Sequence, residues 1–114
     1  MSEEKIEITQ EQIDKWKAQY GKLFKTVFGP YEFYWHPFTR KSYNETMSET
    51  TEMEIEDEDE LLFLRRYQSI VKNVVYPDQE KVKEILDSNY GILETFPNLV
   101  LEKSGFFRDE TSEL

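Results

Sequence analysis

The sequence predicts a single α+β domain, a small antiparallel β-hairpin packed with about five short helices. Three observations carry that expectation. Two runs rich in aromatic residues, Leu23 to Phe28 and Tyr31 to His36, meet at Gly29-Pro30, as a hairpin requires. On either side, apolar residues recur at three- and four-residue spacing behind residues that cap helices. The length, 114 residues, is that of one domain, and a chain of this size buries roughly two-thirds of its unfolded surface.

Taken in order, residues 1–7 are expected to fray. Thr9 and Gln12 are spaced for a capping box, and Ile8 and Ile13 for a hydrophobic staple. Ile13, Trp16 and Tyr20 follow at helical spacing up to Gly21, so the first helix is Thr9 to Tyr20. In the second strand of the hairpin, Tyr31, Phe33 and Trp35 share one face while Glu32, Tyr34 and His36 share the other. Pro37 ends that strand. Thr39 caps a second helix, with Phe38 and Tyr43 in staple positions, which is expected to fade after Glu49.

Eight acidic residues between Glu49 and Glu60 predict an open acidic loop over 50–60, kept apart by self-repulsion. The next segment, Leu61 to Tyr76, is the expected central helix, with Leu61, Leu64, Tyr67, Val71 and Val74 inward and Phe63 and Ile70 widening that face. Pro77 stops it. Asp78 caps a short helix carrying Val82, Ile85 and Leu86, which ends near Asn89. Pro97 suits the first turn of a last helix to Lys103, closed by Ser104-Gly105-Phe106 as a Schellman-type end. Residues 109–114 read as a polar tail.

Composition narrows the function. Aromatics at 15% compensate by area for an apolar content of only 38%. The absence of cysteine excludes disulfide scaffolds, thiolate metal sites and cysteine nucleophiles. No apolar run approaches the ~20 residues that span a bilayer. The start, Met1-Ser2-Glu3-Glu4-Lys5, lacks the basic and apolar stretches of a signal peptide, so an intracellular protein is expected. A net charge of −10 argues against nucleic acid or anionic membrane as a partner and is read either as simple solubility or as a match for a basic partner.

Residues for catalysis are scarce. His36, the single histidine, has no carboxylate or nucleophile spaced to serve it, and reads as structural. Asp57 and Asp59 alternate as calcium ligands do, but the glycine of a calcium loop is missing, so neither metal nor cofactor is expected. No Walker-type, Gly-x-Gly-x-x-Gly or Gly-x-Ser-x-Gly motif occurs, and the chain is expected not to be an enzyme. Two features point to protein binding instead. The hairpin carries aromatics on both faces, Phe24, Phe28, Tyr31, Phe33, Tyr34 and Trp35, and one helical layer covers only one of them. The acidic residues Glu56, Asp57, Glu58, Asp59 and Glu60 offer a second contact for a basic partner, or a mimic of a phosphate row.

Five segments read together: Ile8-Thr9 through Trp16-Lys17 to Tyr20-Gly21-Lys22, the strand Tyr31 to His36, Pro37-Phe38-Thr39-Arg40-Lys41 with Tyr43, Val74-Val75-Tyr76-Pro77-Asp78, and Leu101 to Phe106. In this order they resemble the small tail and baseplate assembly proteins of tailed bacteriophages, the tail-assembly-chaperone-like group. The stretch Thr50 to Glu60 is more acidic than that group leads one to expect. The resemblance implies a non-enzymatic helper in the host cytoplasm that binds a tail or baseplate component before assembly. The alternatives are a structural subunit of the virion and an acidic inhibitor of a nucleic-acid-binding host protein.

Overall fold

A computed structural model describes residues 8–106 and 110–114. Its elements are α1 (Gln10–Tyr20), β1 (Phe24–Phe28), β2 (Tyr31–Trp35), α2 (Arg40–Glu52), α3 (Glu58–Asn73), β3 (Val74–Tyr76), α4 (Gln79–Ser88) and α5 (Tyr90–Lys103). The fold is α+β: among the described residues there are five helices and one three-stranded antiparallel sheet in the order β1-β2-β3. The expected frayed start, 1–7, and Asp109 lie outside the described residues. Residues 110–114 carry no helix or strand.

Local chemistry sets the helix starts. Thr9 Oγ1 accepts from the Gln12 amide at 3.2 Å while Gln12 Oε1 accepts from the Thr9 amide at 3.0 Å, which completes the capping box of α1. Gly21 ends α1 with φ +86°, a conformation that costs glycine little. Thr39 and Ser42 form the same reciprocal pair at α2, and Phe38 meets Tyr43 edge-on at 5.4 Å as the staple. Asp57 caps α3 by accepting from the amides of Asp59 and Glu60, and Asp78 caps α4 by accepting from that of Lys81. At the end of α5, the amides of Phe106 and Gly105 donate to the carbonyls of Leu101 and Glu102, the Schellman pattern, with Gly105 at φ +90°.

The hairpin pairs Phe24 with Trp35, Thr26 with Phe33 and Phe28 with Tyr31 on one face, and Lys25 with Tyr34 and Val27 with Glu32 on the other. A third strand was not expected. The apolar run after Ile70 leaves the helix at Val74, so that Val74 and Tyr76 pair with Trp35 and Tyr34 across a bulge, and the Asn73 carbonyl accepts from the His36 amide at 3.0 Å. The expected helix over Leu61 to Tyr76 is therefore a helix up to Asn73 followed by a strand. Its inward side also differs. Ile70 and Val71 are buried, whereas Leu61, Leu64 and Tyr67 are half-buried and Phe63 is exposed.

The last helix starts at Tyr90, seven residues before Pro97, which lies buried in its interior. An interior proline costs about 3 kcal/mol. Burial of Ile92, Leu93, Phe96 and Val100 on α5, at about 1.5–3 kcal/mol each, outweighs it. Phe96 lies at the centre of the core, 5.3 Å from Phe33 and 5.4 Å from both Phe28 and Trp35 by ring centroids. Val82, Ile85 and Leu86 of α4 and Val74 of β3 complete the core around it.

Helix α2 docks differently. Its buried residues are Ser42, Thr46 and Thr50, and each hydroxyl donates to the carbonyl three or four residues earlier. These small side chains admit α3 closely. Arg65 Nε donates to Thr50 Oγ1 at 3.1 Å, and Lys72 Nζ reaches Glu49 at 2.9 Å and Glu45 at 3.6 Å. The hydrogen bond to Glu49 is the main cause that raises the Lys72 pKa, and partial burial opposes it.

Candidate protein-interaction surface

Of the six hairpin aromatics expected at a contact surface, five lie on the inward face. Phe33 and Trp35 are 0% and 1% exposed, which removes them from any contact surface. Phe24, Phe28 and Tyr31 are half-buried against the same core, and Trp35 Nε1 donates to Thr26 Oγ1 at 2.9 Å. Strand alternation explains this, because positions 24, 28, 31, 33 and 35 share one side of the register. Tyr34 alone faces outward. It is half-buried, with Trp16 of α1 at 6.0 Å, Tyr76 at 6.1 Å and Lys25 Nζ 5.7 Å from its ring. α1 thus reaches the second face of the hairpin, although none of its own residues is fully buried.

His36 is 3% exposed and stacks on Tyr20 at 4.0 Å. Its Nδ1 lies 2.7 Å from the Pro37 carbonyl, which only accepts, so Nδ1 carries the proton. Burial lowers the His36 pKa below its usual value, and the hydrogen bond to Pro37 works against that shift.

The expected acidic loop over 50–60 is mostly helix. Thr50 and Glu52 belong to α2 and Glu58 to Glu60 to α3, which leaves residues 53–57 as the connection. Glu54 makes the reversal with φ +51°. Thr50 is 0% exposed, so the α2 end is anchored where self-repulsion predicted opening. Asp57 is committed to its cap, while Glu56, Glu58, Asp59 and Glu60 are exposed. Three of these acids stand at the positive end of the α3 dipole, which offsets their mutual repulsion.

Beside these acids lies an apolar surface that residue spacing does not predict. Leu62 and Phe63 of α3 are 50% and 36% exposed, and Tyr90 at the start of α5 is 62% exposed. Phe63 stacks between Tyr67 at 6.3 Å and Tyr90 at 6.1 Å. A groove between α3 and α5 is lined by Asp59, Leu62, Phe63, Arg66, Tyr90, Leu93 and Glu94. Tyr67 Oη, in the same aromatic stack, donates to the carboxylate of Asp87 of α4 at 3.4 Å. The available signal was Leu61-Leu62-Phe63-Leu64, four consecutive apolar residues that no single helix face can bury. A smaller exposed pair, Tyr43 and Phe106 at 6.0 Å, lies where the chain leaves α5.

Among the described residues, no group of three or more His, Cys, Asp or Glu side chains is placed to hold a metal ion, and no helix is long and apolar enough to cross a membrane. No known protein family, curated protein or solved structure matches the chain.

Proposed function

We propose that this protein is a non-enzymatic protein-binding factor, without a cofactor, that meets its partner through Leu62, Phe63 and Tyr90. The observation that supports the reading is their contiguity. Single exposed apolar residues are ordinary, but a stacked group beside a groove is the usual mark of an interface. Tyrosine and other aromatics also dominate interface energetics. The setting we propose is tail or baseplate assembly in the cytoplasm of an infected bacterium, where the net charge of −10 keeps the complex with an apolar component soluble. That setting rests on the resemblance of the segments from Ile8 to Phe106 alone.

Photo-crosslinking tests both parts. A photoreactive phenylalanine analogue at Leu62 or Tyr90 should give one discrete protein adduct in infected cells, and the same probe at exposed Val27 should not. Identification of that adduct as a tail or baseplate component supports the setting. A discrete adduct of another kind leaves protein binding intact and removes the setting. Identical adducts from Leu62, Tyr90 and Val27 would overturn the assigned surface. Presence of the chain in purified particles would favour a virion subunit over an assembly factor.

A further inference from the structure

We propose that the groove between α3 and α5 receives a basic amphipathic helix of the partner. Its apolar side would rest on Leu62, Phe63 and Tyr90, and its lysines or arginines would meet Asp59, Asp87 and Glu94. The inference rests on the protein-binding reading above and names the chemistry of the partner.

Dimensions come first. The α3 wall runs from Asp59 to Arg66, two turns or about 10 Å at 1.5 Å per residue. That is the span of anchors at i, i+3 or i+4, and i+7 on a docked helix. An extended strand would need unpaired backbone groups to bond with, whereas both walls here are helices whose backbone bonds are internal.

Charge decides what covers it. Asp59 of α3 and Glu94 of α5 line the groove, and Asp87 of α4 is held by Tyr67, which stacks on Phe63. Arg66 is the one cation among the lining residues, so the border stays net negative. Exposed aromatic faces add attraction for cations. Phosphates are repelled by the same rim. A second copy fits poorly, because it brings another −10 and its α1 offsets Lys15 and Lys17 with Glu11 and Asp14.

The test uses the full chain and three synthetic peptides of about 18 residues, roughly five helical turns. One is an amphipathic leucine/lysine helix, one is its leucine/glutamate counterpart, and one is the leucine/lysine composition scrambled to remove the apolar face. Binding is followed by fluorescence anisotropy and located by amide chemical shifts. The amphipathic basic peptide should bind best, shift the resonances of Leu62, Phe63 and Tyr90, and weaken as salt rises. Phe63→Ser should weaken it by about thirtyfold, the size of an interface hot spot. Glu94→Lys reads the rim separately, at an exposed position where the thermal midpoint should stay unchanged, and should also weaken binding.

Equal binding of the acidic helix would overturn the charge assignment. Equal binding of the scrambled peptide would overturn the helix. Binding with shifts confined to another face, or no binding by any peptide, would overturn the inference as a whole. In each case the protein-binding reading is judged independently by the crosslinks from Leu62 and Tyr90, which use no peptide.

Discussion

At the scale of single residues, neighbouring positions have opposite environments, and the two faces of β2 are the clearest case. Trp35 is enclosed by Phe24, Phe96 and its bond to Thr26, so Trp35→Ala should cost about 3–5 kcal/mol in urea denaturation. Tyr34→Ala loses contacts with Trp16 and Tyr76, pairs that contribute about 0.5–1.5 kcal/mol each, and the approach of Lys25 Nζ to its ring. A larger loss from Tyr34→Ala than from Trp35→Ala would mean that the faces are exchanged. The alternation of Tyr31, Phe33 and Trp35 made the inward face legible. That Trp16 would come to lie against Tyr34 was not legible, because α1 docks by a tertiary contact that no spacing encodes. His36 is an enclosed ring bonded to the Pro37 carbonyl, and it carries a pH consequence. Because burial lowers its pKa, the unfolded chain takes up the proton more readily than the folded protein. The stability contributed by the neutral ring is complete above about pH 6.5 and is lost as pH falls through the lower folded value. The His36 ring resonances should therefore titrate below the ordinary histidine range, and a midpoint at or above it would contradict this account.

At the scale of elements, the bounds of α1 and α4 were readable, while the end of α3 and the start of α5 were not. Thr9, Thr39 and Asp78 each sit where their hydrogen bonds are made, because capping is a local interaction, whereas Asp57, read as part of an open loop, turns out to cap α3. The end of α3 was hidden because Ile70, Val71 and Val74 continue a helical period that a short apolar strand shares. The β-branched pair Val74-Val75 was the strand signal, and the unpaired edge of β2 made it decisive. The inward side of α2 was hidden for another reason, since buried hydroxyls look like a solvated face. Thr46, 2% exposed, should tolerate Val within about 1 kcal/mol, because shape is kept and its hydroxyl bond is local. Thr46→Leu should cost about 1–3 kcal/mol in the same urea titration by forcing α2 from α3. Amide exchange should change sharply at the end of α2, slow at Thr50 and fast through residues 53–56. Uniformly fast exchange from Thr50 to Glu60 would restore the open loop that the run of acids suggested.

At the scale of the whole molecule, charge and packing are both unevenly distributed. Lys22 and Lys103 lie together near Phe38 and Ser104, where α2 begins. The acidic connection lies at the far end of α2, 13 residues or about 20 Å away. Packing is uneven in the same way, because Phe96 holds the hairpin to α5 while α1 contributes no fully buried residue. Residue spacing carries no sign of this difference, since α1 has the best-marked start and stop in the chain. Local signals define a helix but do not say how much surface it buries. The consequence is that α1 and the core should respond separately. Trp16→Ala removes the contact with Tyr34 and should raise amide exchange within α1 alone, leaving α5 near its original protection. Phe96→Ala removes one ring from contact with Phe28, Phe33 and Trp35 at once, and should cost about 3–5 kcal/mol. Since unfolding of small domains is cooperative, that loss should appear as faster exchange in β1, β2, α4 and α5 together. If Trp16→Ala accelerated exchange in α5 as much as in α1, the two would form one cooperative unit. The contact between Trp16 and Tyr34 would then be part of the core and not an attachment to it.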